Sequence, residues 1–197
     1  MSLIRPLSGR KPAIAMPKGA IDTQMHAYLP CYPALPGGPG LPADDLPTPE
    51  QYRQFMDWIG IDRVVVTQGM AHQLDNANLV ACLEQFGDIA WGIAAVDAST
   101  SEAELDRLSA ARVRGARIMN LPGGAANLTK LEEVDAIAAS RDWMIAIQFD
   151  GSDILDYEER LSKLKSRWVL DHHGKFFCGV TPDSPQVKAT KRLIDGG

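Results

Sequence analysis

Gln24 and His26 stand two positions apart, just past an apolar run that ends in Asp22. On a strand that spacing turns both side chains to one face. Two imidazoles so placed could share a metal, but a neutral carboxamide oxygen is a poor zinc ligand beside an imidazole. His26 by itself suits proton transfer, because its pKa lies near neutrality. The structural alternative is a buried histidine satisfied by a backbone carbonyl. Further along, Arg117 lies inside the apolar segment GARIMN. A guanidinium there is costly to bury unless it meets an anion, and its planar fork matches a carboxylate. An ion pair to Asp97 or Asp150 would serve equally well.

Other polar groups close the apolar runs: Thr67 and Gln68, Asn120, Gln148, and the triplet Asp171-His172-His173. The amides of Gln24, Gln68, Asn120 and Gln148 offer donors and acceptors together, which suits a polyhydroxylated ligand. Each could instead satisfy loop backbone, and Thr67 is a weaker candidate. His172 and His173 are adjacent, so on a strand they face opposite sides and only one can enter a shared site. His72 follows the second run, as a rim residue or a solvated one. Asp171 could orient a neighbour or cap the next segment.

The elements that position these groups follow from the apolar pattern. Strand-like runs occur at 19–22, 63–69, 89–97, 115–120, 143–150 and 167–173. Between them lie amphipathic stretches of helical period. Thr48-Pro49 opens one and Gly60 closes it; Gly87 closes the next. Ser99 or Thr100 starts a third and Thr129 a fourth. Runs that are apolar nearly throughout and alternate with helices indicate parallel strands covered on both faces. Their spacing of roughly 25 to 30 residues suits a (β/α)8 barrel of the TIM type. There the groups listed above would share the carboxyl-end mouth. Only six of eight β/α units can be counted over 19–197, and a sheet left open invites self-association through its edges. Residues 1–18 read as an N-terminal arm. The Pro- and Gly-rich segment 29–49 is too long for an ordinary connection and reads as a lid with Tyr28 and Tyr32 near the ligand, or as a structural cover.

The net charge of −5 is spread over mixed-sign helices, which favours neither nucleic acid nor a membrane surface as partner. Cys31, Cys82 and Cys178 are far apart and form no C-x-x-C pair, as expected of a cytoplasmic protein without disulfides.

The segments Asp22-Thr23-Gln24-Met25-His26, DNANL, GARIMNLPGG, IQFDG and VLDHHGK occur in order at successive strand ends. Together they resemble the amidohydrolase superfamily, in the branch that holds 2-pyrone-4,6-dicarboxylate lactonase and sugar-acid lactone isomerases. The resemblance implies a metal-dependent-hydrolase-like barrel of which about two strands are not in this chain. It also implies chemistry on a small sugar-acid lactone without metal or other cofactor. Isomerisation between a 1,5- and a 1,4-lactone is the leading expectation, with lactone hydrolysis as the alternative. The resemblance selects His172 over His173, gives His26 and His172 catalytic roles, and leaves Gln24, Thr67, Gln68, Arg117, Asn120 and Gln148 to bind substrate. A partial barrel without catalytic activity is the expectation from a different class.

Overall fold

The computed structural model describes residues 10–42 and 46–196. Of the expected arm over 1–18, residues 1–9 lie outside the described residues, and 10–18 form no helix or strand. Six strands run parallel in one sheet: β1 (Ile21–Met25), β2 (Arg63–Thr67), β3 (Ala90–Ala94), β4 (Val113–Met119), β5 (Met144–Gln148) and β6 (Trp168–Leu170). Their spatial order is their chain order. Each crossover therefore steps the same way, as in a singly wound barrel, whereas a doubly wound sheet reverses at a switch point.

Helices α1 (Pro49–Ile59), α2 (Ala77–Phe86), α3 (Glu102–Ala110), α4 (Leu131–Ser140), α5 (Ile154–Leu161) and α6 (Pro185–Asp195) follow the strands in turn. Helix α1 begins with a capping box between Thr48 and Gln51, has Pro49 in its first turn, and ends at Gly60 in the left-handed region. Helix α3 is capped by Ser101 and not by the expected Ser99 or Thr100. Those two are occupied with Asp97: the Ser99 amide donates to its Oδ1 (2.9 Å), and the Asp97 amide donates to the Thr100 hydroxyl (3.2 Å). Helix α4 starts after a 3-10 turn over Leu128–Lys130, which places its first residue beyond Thr129.

The sheet curls into a partial barrel. In a flat sheet the edge strands β1 and β6 would lie about 24 Å apart at 4.8 Å per step. Instead Gln24 at the end of β1 donates directly to Asp171, just past β6, over 2.8 Å. Alternation within the strands divides an outer core from an inner face. Val64 and Val66, Ala116 and Ile118, and Ile145 and Ile147 join one apolar cluster with Leu79, Leu83, Leu108, Leu131 and Val134 of the helices. Arg117 and Gln148 alternate with those residues and so face the barrel interior.

The last strand departs from expectation. β6 covers three residues where a run of seven was expected over 167–173, because the chain turns left-handed immediately beyond. His172, His173, Gly174 and Lys175 all have positive φ, between 45° and 87°. Strand alternation therefore does not govern the histidine pair. The turn docks on Gly151, where any Cβ would collide with the Gly174 carbonyl and the Phe176 ring.

Candidate active site

The long β1–α1 connection lies across the loop after β2. The Leu35 amide donates to Ala71 O (2.7 Å), and a Cβ on Gly38 would strike the Met70 carbonyl. Two asparagines of the DNANL segment splint this end of the barrel. Asn76 donates to Ala95 O (2.9 Å) and accepts from Ala95 N (3.0 Å); Asn78 donates to Ala27 O and accepts from Leu29 N, both at 2.9 Å. The motif thus replaces missing backbone pairing in the β1 and β3 loops.

His26 emerges from this braced segment with Nδ1 2.8 Å from the Thr67 carbonyl oxygen. A carbonyl can only accept, so Nδ1 carries the hydrogen and Nε2 presents its lone pair. Burial lowers the imidazole pKa; the Thr67 contact raises it, Arg117 lowers it, Asp171 raises it and His172 lowers it. The net direction is down, so His26 is a neutral base near pH 7. Thr67 thus contributes its backbone, while its own side chain is buried.

Arg117 is 5% exposed. Its Nη1 donates to Gln68 O (2.6 Å) and its Nη2 to Gln148 Oε1 (3.1 Å), whereas Nε has no partner. Among the described residues no carboxylate touches the guanidinium. Asp97 is bound by Lys130 and Ser99, and Asp150 accepts from the amides of Ser152 (2.9 Å) and Phe177 (3.3 Å). Neither ion pair considered from the sequence forms. Burial pushes the Arg117 pKa down, with Asp171 and Tyr28 opposing. A buried cation held only by neutral acceptors is a ready seat for a carboxylate.

The remaining candidates divide between the mouth and its supports. Gln148 holds Arg117. Gln68 donates to Asp75 O (2.6 Å) and Gln73 O (3.3 Å), leaving its buried Oε1 without a partner. Asn120 accepts from Leu128 N (3.3 Å) and splints the β4 loop. His172 is exposed yet close enough to influence the charge on His26; His173 is exposed as well. His72 is buried against Tyr32 O (3.1 Å), neither on a rim nor solvated.

Tyr28 and Asp171 belong to the same mouth. Tyr28 packs its hydroxyl end against Gly69 and shares Arg117's surroundings, and burial raises its pKa so that it remains a neutral donor. Asp171 is buried and bound to Gln24. The cavity beside Arg117, bounded by Gln68, Met70 and Met119, measures about 10 Å³ and has room for a water at most. A larger hollow of about 440 Å³ lies between α2 and α3 on the outer layer, away from these groups.

The profile of the amidohydrolase family matches residues 21–195. The chain belongs to the amidohydrolase family. This amidohydrolase is 56% identical over 195 residues to a protein of Agrobacterium fabrum named D-galactarolactone isomerase, a match covering 99% of this chain and 67% of the relative. It is 32% identical over 170 residues to a 2-pyrone-4,6-dicarboxylate hydrolase of Comamonas testosteroni, covering 84% and 55% of the two chains. Two 4-sulfomuconolactone hydrolases match over 56% and 60% of their own lengths. The amidohydrolase chain thus spans from just over half to two thirds of these curated relatives. An apo crystal structure from Agrobacterium tumefaciens superposes with a TM-score of 0.94 at 56% identity, covering 98% of this chain and 68% of that one. An Acinetobacter baumannii structure at 20% identity shares the fold with a TM-score of 0.71.

A catalytic zinc needs about three protein ligands. Among the described residues of this amidohydrolase no three His, Cys, Asp or Glu side chains converge. Gln24 moreover turns its Nε2 donor, and not a lone pair, toward Asp171. No described helix is long and apolar enough to cross a membrane.

Proposed function

We propose that this amidohydrolase isomerises a sugar-diacid lactone, of the D-galactaro-1,5-lactone to 1,4-lactone type, without a metal. The observation that carries the reading is the pairing of His26, with a free Nε2, and Arg117, a buried guanidinium contacting no carboxylate. The Arg117 guanidinium seats the free carboxylate of the lactone. His26 Nε2 takes the proton from the attacking hydroxyl as it adds to the lactone carbonyl. Collapse of the tetrahedral species breaks the bond to the ring oxygen, and the imidazolium returns the proton there. One imidazole balances the whole exchange, and no water is consumed.

His172 assists from the exposed side, and Gln24, Thr67, Gln68, Asn120 and Gln148 shape the binding site directly or through its loops. The 56% identity to a named isomerase supports isomerisation. Hydrolysis is the second reading, favoured by the 32% match to a named lactone hydrolase, and differs in using water as nucleophile. Proton NMR of galactaro-1,5-lactone incubated with the purified chain separates them. Accumulation of the 1,4-lactone, unchanged by a chelator, is expected. Accumulation of free galactarate would favour hydrolysis, and activity lost to chelator and restored by zinc would overturn the metal-free reading.

A further inference from the structure

Four aspartates lie in or just after the strands, and two have both oxygens occupied. Asp22 accepts from Tyr52 Oη and from its neighbour Gln24 N (3.0 Å). Asp97 is held by Lys130 and Ser99. Asp150 takes two backbone amides on Oδ1 and, half-buried, leaves Oδ2 without a bond among the described residues. Asp171 is the buried one of the two with a free oxygen. It is 6% exposed, its Oδ2 accepts from Gln24 Nε2 at 2.8 Å, and its Oδ1 accepts no hydrogen bond among the described residues. It lies in the same interior as Arg117 and His26, whose charges it influences. The mouth therefore has two unlike poles: a guanidinium clamped by neutral oxygens, and a carboxylate clamped by a neutral amide.

We infer that Asp171 is the specificity-determining residue of this site, its free oxygen accepting hydrogen bonds from ligand hydroxyls while its charge excludes a second carboxylate. The inference rests on the reading of Arg117 as the carboxylate seat. A hydroxyl donating to a carboxylate makes one of the stronger hydrogen bonds available, whereas two facing carboxylates repel and lose hydration together. A lactone of a sugar diacid, with one free carboxylate and several hydroxyls, matches both poles. An unhydroxylated dicarboxylate matches only one. Gln24 fixes the orientation of Asp171 without neutralising it, which a cationic partner would have done.

Two six-carbon acids test this: galactonate, with one carboxylate and a hydroxyl on every other carbon, and adipate, with two carboxylates and no hydroxyl. Calorimetric titration should show the unaltered chain binding galactonate more tightly. Asp171→Ala should weaken galactonate by about tenfold or more, the usual loss for a hydrogen bond to a charged group, while adipate binds equally or more tightly. Asp171→Asn, which keeps an oxygen for Gln24, should show the same pattern and decides the matter if the alanine variant fails to fold. Equal affinity for the two acids in the unaltered chain, or a parallel change for both in the variants, would overturn the inference while leaving the carboxylate seat intact. Should Arg117→Lys bind both acids as well as the unaltered chain does, the seat itself would fall.

Discussion

Gln24 and Asp171 are 147 residues apart in the chain, yet their side chains meet across the barrel mouth over 2.8 Å. They belong to the two edges of the sheet, so this bond reports the curl of the whole domain. It also sets what each may be: an acceptor on one side requires a donor on the other. Gln24→Glu would oppose two carboxylates. Urea unfolding should show a loss of about 1 to 3 kcal/mol at neutral pH.

His26 carries the proposed proton transfer through Nε2. His26→Gln should retain the circular dichroism spectrum and lower turnover by about a hundred- to ten-thousand-fold, the usual range for a positioned base. Turnover equal to the unaltered chain would remove it from the mechanism.

The depressed pKa of His26, caused first by burial, has a sign in both rate and stability. Below its ordinary value of about 6.5, the unfolded chain binds a proton that the folded chain still refuses. Stability should therefore fall as pH drops from about 6.5 toward the folded pKa, and level off once both states are protonated. Turnover should fall only at the lower, folded value. Thermal unfolding and rate profiles recorded over the same pH range, with His26→Gln as reference, check both; an acid limb of activity above the ordinary value would contradict the shift.

Arg117 presents a fork, and a point charge is no substitute. Arg117→Lys should fold, because Lys can still reach a neutral oxygen, and should bind galactonate about ten- to a hundredfold more weakly by calorimetry.

Gly151 admits the turn that carries His172. Gly151→Ala places a Cβ against the Gly174 carbonyl and the Phe176 ring, so either the turn or the β5 loop must shift. A loss of about 1 to 3 kcal/mol is expected in denaturant unfolding, with reduced turnover in the fraction that remains folded.

Much of this was legible in the chain. The six strands, the Thr48–Gly60 helix and the interior place of Arg117 follow from alternation and from capping chemistry, which are local. The end of β6 was not. Asp171-His172-His173 continues an apolar run, and nothing in two consecutive histidines announces a left-handed turn; Gly174 is its one local mark. Nor could sequence separate Asp171 from Asp22, since both end apolar runs. Tyr52 occupies one and Gln24 the other, and those contacts exist only once the sheet curls. The same holds for Ser99 and Thr100, which are plausible helix starters until Asp97 claims them.

The splints made by Asn76 and Asn78 have a consequence for how ligand is received. Each amide side chain stands in for a peptide group, bonding a neighbouring loop through both its oxygen and its nitrogen. The walls beside His26 are thereby set when the polypeptide folds, so a small acid arriving from solvent meets a vessel whose conformational freedom is already spent, and its own binding energy is left for the reacting bond.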